Sequence, residues 1–161
     1  MAKVYGTDNS EVIDWFDGVT DGNDTIFGYD GEDWIFAGKG NDVLLGGAGP
    51  DHLDGGDGHD TASYVDSPAR VVVNLATGEG HEGTAEGDTF FSIENLTGSV
   101  FNDSLTGNAY DNVLSGLWGD DSLEGGGGAD VLDGSWGLDT ASYAHSCWRI
   151  GVPALEFRFG R

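Results

Sequence analysis

The chain has 161 residues and carries 29 acidic residues against 6 Lys or Arg, which gives a formal net charge of −23. Such a surface is a poor partner for nucleic acid or for an anionic membrane, since both bind through basic patches. Every apolar run is shorter than the roughly 18 residues of a membrane helix, so we expect no transmembrane segment.

The lead segment, residues 1–18, has no apolar run of the kind that forms a cleaved signal peptide. We therefore expect that the protein either stays in the cytoplasm or leaves by a route that needs no such signal. Cys147 is the single cysteine of the chain, which allows neither an intrachain disulfide nor a cysteine metal cluster.

A nine-residue repeat forms a first block, residues 19–64, with its clearest units GGAGPDHLD at 46–54 and GGDGHDTAS at 55–63. Each unit has Asp at its sixth position, Gly at its fourth and an apolar residue at its eighth. The Asp residues are Asp24, Asp33, Asp42, Asp51 and Asp60; the Gly residues are Gly22, Gly31, Gly40, Gly49 and Gly58; the apolar residues are Ile26, Ile35, Leu44, Leu53 and Ala62.

Residues 65–97 interrupt the repeat and form a spacer. The alternation of Val71, Val73 and Leu75 with the residues between them predicts a half-buried strand. The Gly- and Glu-rich stretch 76–88 is typical of an acidic surface loop, and we expect a mobile insertion there rather than a site.

The repeat resumes in a second block, residues 98–143. Its sixth positions are Asp103, Asn112, Asp121, Asp130 and Asp139, and its fourth positions are Phe101, Tyr110, Gly119, Gly128 and Gly137. Both blocks end in Asp-Thr-Ala-Ser-Tyr, which indicates an internal duplication superimposed on the nine-residue period.

The tail, residues 144–161, departs from the pattern and holds three of the six basic residues. A shifted reading frame or a truncated gene would produce such a break. A short native cap on the last coil is the alternative, and the sequence leaves both open.

The repeat predicts an all-β fold, a right-handed parallel β-roll in two stacked blocks. Glycines at the first, second and fourth positions allow tight turns, and three extended residues follow with the eighth pointing inward. A strand of three residues is too short to be stable alone, so two units would form one coil and successive coils would stack.

This stacking would bring carboxylates from neighbouring coils close together. Asp24, Asp42 and Asp60 would share one edge and Asp33 and Asp51 the other; Asp103, Asp121 and Asp139 would share an edge opposite Asn112 and Asp130. Carboxylates about 5 Å apart repel unless a cation lies between them. Carboxylate and turn-carbonyl oxygens suit Ca²⁺, with Mg²⁺ ranked second, while the four His residues show no transition-metal spacing.

The units GGAGPDHLD, GGDGHDTAS and GGGGADVLD resemble the RTX (repeats-in-toxin) or hemolysin-type calcium-binding nonapeptide, Gly-Gly-x-Gly-x-Asp-x-apolar-x. The resemblance covers about 90 residues in the two blocks. It implies a parallel β-roll that holds several Ca²⁺ ions in its turns. It also implies a secreted bacterial protein exported by type I secretion, which uses an uncleaved C-terminal signal.

The resemblance also implies a set of calcium ligands. Their side chains would be Asp24, Asp33, Asp42, Asp51, Asp60, Asp103, Asp121, Asp130 and Asp139, and the turn glycines at the fourth position would be Gly31, Gly40, Gly49, Gly58, Gly119, Gly128 and Gly137. Asn112 replaces the acid of its unit, with Phe101 and Tyr110 nearby, so we expect weak or absent sites around residues 98–115.

The sequence therefore predicts a calcium-binding module whose folding is driven by calcium, with no catalytic activity. No Gly-x-Ser-x-Gly elbow, His-Glu-x-x-His helix or phosphate loop is present. The alternatives are a calcium-dependent polysaccharide-binding or adhesin module at a cell surface, and a non-catalytic fragment of a larger secreted enzyme.

The outward positions of the first block form an apolar patch that includes Trp34 and Phe36. An exposed patch could bind a partner. We expect instead that the flanking residues cover it, namely Val12, Ile13, Trp15 and Phe16.

Overall fold

The computed structural model describes residues 1–142 and the backbone of residues 157–159. These residues form short strands joined by turns, together with a 3-10 helix at Gly83–Ala85. In chain order the strands are β1 (Lys3–Tyr5), β2 (Val12–Ile13), β3 (Thr25–Asp30), β4 (Trp34–Phe36), β5 (Val43–Ala48), β6 (His52–Asp54), β7 (Thr61–Ser63), β8 (Val72–Asn74), β9 (Glu79–His81), β10 (Thr89–Phe91), β11 (Asn95–Thr97), β12 (Ser104–Thr106), β13 (Val113–Ser115), β14 (Ser122–Glu124), β15 (Val131–Ser135), β16 (Thr140–Ser142) and β17 (Phe157–Phe159).

The strands form two sheets, one on each side of a flattened coil. One sheet has 8 strands in the order β1-β3-β5-β7-β11-β13-β15-β17, and the other has 9 in the order β16-β14-β12-β8-β9-β10-β6-β4-β2. Pairing is parallel except around β9, and inside each block the register shift equals two repeat units, as in Ile26 opposite Leu44. The all-β, parallel β-roll predicted from the repeat is confirmed.

The core is the space between the two sheets, and the eighth position of each unit fills it. Ile26, Ile35, Leu44 and Leu53 are all completely buried. Burial of each such side chain contributes about 1.5–3 kcal/mol, which stabilises strands that cannot form alone. Stacking of these residues fixes which side of each strand faces inward, and so fixes the turn positions as well.

The spacer joins the two blocks into one continuous stack. In the 8-stranded sheet, β11 pairs in parallel with β7 on one side and with β13 on the other. In the other sheet, β10 pairs with β6, and β9 lies between β8 and β10, antiparallel to both. The strand predicted around Val71–Leu75 is β8, and the acidic stretch 76–88 contains β9 and the 3-10 helix.

The lead segment extends the roll instead of covering its outer surface. β1 pairs with β3 and β2 pairs with β4, so the segment supplies backbone partners to the outermost strands of the first block. Trp15 and Phe16 remain 70% and 79% exposed. The prediction that this segment covers the apolar patch is therefore wrong, because its hydrogen bonds go to strand edges.

Most of the tail, including Cys147, lies outside the described residues, as does Tyr143 at the end of the second block. The backbone of β17 pairs in parallel with β15, with an irregularity between Asp133 and Ser135. Among the described residues, no helix has the length and apolarity to cross a membrane.

Candidate metal-binding turns

The sixth-position residue of each unit ends a turn and immediately precedes a strand. Seven of the nine predicted Asp ligands are buried there, and Asp130 and Asp139 are partly exposed. The buried ones are Asp24, Asp33, Asp42, Asp51, Asp60, Asp103 and Asp121. Because the neighbouring seventh residue points outward, the sixth side chain turns back into the loop that precedes it.

The carboxylates stack in columns along the edges of the roll. Each offers Oδ1 to the backbone N–H of the residue at the same position one coil earlier. In the first block the N–H of Asp24 donates to Asp42 (2.6 Å), that of Asp42 to Asp60 (2.7 Å) and that of Asp33 to Asp51 (2.9 Å). In the second, the N–H of Asp103 donates to Asp121 (2.8 Å), that of Asp121 to Asp139 (3.0 Å) and that of Asn112 to Asp130 (3.0 Å).

Two acids of the spacer continue these columns, and neither is among the predicted ligands. Asp88 accepts the backbone N–H of Asp51 at 2.9 Å, and Glu94 accepts that of Asp60 at 2.9 Å. Each directly precedes a three-residue strand with an apolar middle residue, Phe90 or Leu96. Asp88 lies outside the nine-residue register, whereas Glu94 lies nine residues before Asp103 and so continues the register of the second block, with Glu in place of Asp.

The second carboxylate oxygen is the exceptional atom of these turns. Five Asp residues of the columns have an Oδ2 that is buried and lacks any hydrogen-bond partner, which we call a bare oxygen. They are Asp33, Asp42, Asp51, Asp60 and Asp121. A buried charged oxygen without a partner is strongly destabilising. The ion pairs found among the described residues, Lys39–Asp21 and Arg70–Glu82, are exposed and involve no column residue.

Calcium fits these oxygens. It binds hard oxygen ligands in a flexible arrangement, and each bare Oδ2 is an anionic oxygen that already faces away from water. No group of three or more His, Cys, Asp or Glu side chains surrounds a common point within residues 1–142. An ion held here would therefore complete its shell with turn carbonyls and water.

The first glycine of a unit makes room for the carboxylate that ends the same turn. A Cβ added at Gly28 would lie 2.7 Å from Asp33 Oδ2, and one at Gly46 would overlap Asp51 Oδ2. The fourth-position glycines of the predicted calcium site have a steric role. They lie in the positive-φ region, and a Cβ at Gly49 would overlap the carbonyl oxygen of Gly31 in the coil beneath.

Burial raises the pKa of several column carboxylates. It raises the pKa of Asp51 to about 7 and that of Asp60 to about 6, and the neighbouring carboxylates Asp33 and Asp42 add to these shifts. It likewise raises the pKa of Asp121 to about 6. Asp24 differs: burial acts in the same direction, but hydrogen bonds from Ala2 and Thr20 outweigh it and lower its pKa. The roll thus destabilises the charged form where no donor or cation compensates.

A parallel β-solenoid with buried turn carboxylates defines a class of calcium-binding repeat proteins. The family model for the RTX calcium-binding nonapeptide repeat matches the chain in four copies, at residues 19–44, 40–63, 97–132 and 106–141. These matches cover more than half of the chain, which therefore belongs to this family. No curated protein matches it.

Asp51→Asn tests one bare oxygen. The amide keeps an acceptor for the N–H of Asp33 but removes the charge. We expect the midpoint of a calcium titration to rise about tenfold, which corresponds to about 1.4 kcal/mol. Circular dichroism during a calcium titration measures this midpoint.

Asp57→Asn is the matched control, because Asp57 is an exposed residue in the turn of the next unit and its replacement changes the net charge equally. Equal midpoint shifts in the two variants would show that only overall charge matters, and would contradict a specific role for Asp51 Oδ2.

Proposed function

We propose that this chain is a calcium-binding module whose folding is driven by calcium, and that it has no catalytic activity of its own. The observation that carries the proposal is the set of five buried Asp Oδ2 atoms without a partner. Membership of the RTX calcium-binding repeat family supports the choice of ion.

The mechanism is thermodynamic linkage between binding and folding. Asp33, Asp42, Asp51, Asp60 and Asp121 would hold the ions with Oδ2, while Oδ1 holds the N–H of the adjacent coil. The bound ion supplies positive charge that offsets desolvation of the carboxylates. Because the unfolded chain has no assembled turns, the binding free energy becomes folding free energy.

This linkage would make folding depend on the compartment. Extracellular calcium-binding modules have Kd values of about 10⁻⁴–10⁻³ M, far above the calcium concentration of a cytosol. The chain would therefore stay largely unfolded inside the cell and fold outside. We propose accordingly that it is secreted through a type I system, a route that its family supports.

Far-UV circular dichroism of the chain tests the calcium-driven folding. The spectrum is recorded in EDTA and then during separate titrations with Ca²⁺ and Mg²⁺. We expect a cooperative coil-to-β transition near millimolar Ca²⁺ and little response to Mg²⁺. A spectrum that is fully β in EDTA, or that responds equally to both ions, would contradict the proposal.

Calcium-dependent binding of a cell-surface polysaccharide is a second candidate function. On the outer face of the 9-stranded sheet, the His52 ring lies between Trp34 and Phe91, with ring centroids 4.3 and 4.6 Å away. Trp34 and Phe91 are about half exposed, and a groove of about 440 Å³ adjoins the stack. Exposed ring faces are suited to stacking against sugar rings.

Retention on an alginate column tests this candidate. Because Lys and Arg are scarce, an anionic glycan would be held through Ca²⁺ rather than through basic side chains. Retention in calcium that EDTA abolishes is the expected result. Passage through the column in both buffers would leave the chain as a calcium-folded module, or as a non-catalytic fragment of a larger secreted enzyme.

A further inference from the structure

Not every turn of the roll leaves an oxygen bare. We propose that four turns carry internal hydrogen-bonded caps that replace calcium, so that the ion sites are confined to the uncapped turns. The capped turns end at Asp24, Asp88, Asp103 and Asn112, and the uncapped turns with a buried bare oxygen end at Asp33, Asp42, Asp51, Asp60 and Asp121. This inference rests on the proposed calcium function.

A hydroxyl group caps the first turn of each block. Thr20 donates to Asp24 Oδ2 from its backbone N–H (2.7 Å) and from its hydroxyl (2.8 Å). Ser99 occupies the same second position in the second block, and its hydroxyl lies 2.9 and 3.0 Å from Oδ1 and Oδ2 of Asp103. In both turns the oxygen that a cation would take is already bonded to the protein.

Asn112 caps its turn with its own amide. Its Nδ2 donates to the carbonyl oxygen of Glu94 at 2.7 Å and to Asn108 Oδ1 at 3.3 Å, and its Oδ1 accepts the N–H of Asn108 at 2.8 Å. The amide group thus links side-chain and backbone oxygens that a cation would otherwise link. This arrangement is the physical counterpart of the weak or absent site expected around residues 98–115.

Asp88 is capped from another part of the chain. The hydroxyl of Tyr64 donates to Asp88 Oδ2 at 2.8 Å, and both side chains are at most 2% exposed. Tyr64 ends the first block, so this hydrogen bond ties that block to the spacer. Asp88, Asp103 and Asn112 are therefore all satisfied without metal, and they surround the junction between the blocks.

The backbone at the second position separates the two kinds of turn. In the capped repeat turns, the second-position residue is Thr20, Ser99 or Asn108. It has a negative φ, and its N–H points to the sixth side chain. In the uncapped turns it has a positive φ, and these residues are Tyr29, Gly38, Gly47, Gly56 and Leu117. The backbone conformation of the second residue, rather than its identity alone, therefore separates a capped turn from an uncapped one.

Ser99→Gly is the informative substitution. Glycine removes the hydroxyl and readily takes the positive φ of the uncapped turns. Equilibrium dialysis with radioactive calcium should show one more ion per chain at saturation than in the unmodified protein. Thr20→Gly should add one ion in the same way, and it keeps the test decisive if the first variant fails to fold.

Ser135→Gly is the matched control. Ser135 is also a second-position serine, but it already has a positive φ and bonds Asp133 instead of the sixth-position Asp139. Its replacement should leave the number of bound ions unchanged. An unmodified protein that binds calcium, with the same count in all three variants, would overturn the capping inference alone. An unmodified protein that binds no calcium would overturn the proposed function, and the inference with it.

Discussion

Gly49→Ala should lower the free energy of unfolding of the calcium-loaded roll by about 4 kcal/mol or more, a loss typical of severe disruption of a core or backbone. Gly49 has a φ of 128°, which side-chain-bearing residues rarely adopt, and its Cβ would overlap the carbonyl oxygen of Gly31. Coils stack at a fixed distance, so neither turn can move away without breaking its neighbours' hydrogen bonds. Thermal unfolding in saturating calcium measures the loss.

Gly22→Ala is the control for this prediction. Gly22 holds the same fourth position in the first unit, but the nearest atom to an added Cβ is the Thr20 hydroxyl, at 3.7 Å. We expect a change within about 0.5 kcal/mol, as for an open surface site. Similar losses at Gly22 and Gly49 would show that composition, and not contact between coils, explains the glycines.

The second large effect concerns pH in the absence of metal. Burial raises the pKa of Asp51 and Asp88 to about 7 and that of Asp60 and Asp121 to about 6, whereas an unfolded Asp titrates near 3.9. Between about pH 4 and 7 the folded chain therefore binds more protons than the unfolded chain. The stabilisation of the folded chain by these extra protons is complete below about pH 4 and is lost as the pH rises through 6 to 7.

We therefore expect more β-structure in EDTA at pH 5 than at pH 8, as measured by far-UV circular dichroism. Asp51→Asn should weaken this dependence, because it removes one group whose pKa is raised by burial. The exposed-site variant Asp57→Asn should retain it. A folded fraction that falls on acidification from pH 8 to 5 would contradict the unfavourable burial of these carboxylates.

The regular part of the molecule follows directly from its period. Two units make one coil, so Asp24, Asp42 and Asp60 had to stack once the strands were parallel. The eighth-position Ile and Leu residues had to fill the core for the same reason. Both features depend only on repetition, which a single sequence displays fully.

The irregular parts depend on contacts that no period reveals. Asp88 joins a column because the spacer re-enters the stack in a phase set by β9 and β10, and that phase is a tertiary property. Glu94, by contrast, lies nine residues before Asp103, so the period of the second block places it in a column. The caps at Thr20 and Ser99 look like simple loss of glycine in the sequence. Whether these residues hydrogen-bond to the carboxylate depends on their φ and on the position of one carboxylate oxygen, which only the folded turn defines.

The most direct test is a crystal structure of the chain grown in calcium, with anomalous scattering used to locate the ions. We expect anomalous peaks about 2.3–2.6 Å from Oδ2 of Asp33, Asp42, Asp51, Asp60 and Asp121. Ordered water instead of calcium at these five oxygens, or ions bound only to exposed carboxylates, would contradict it.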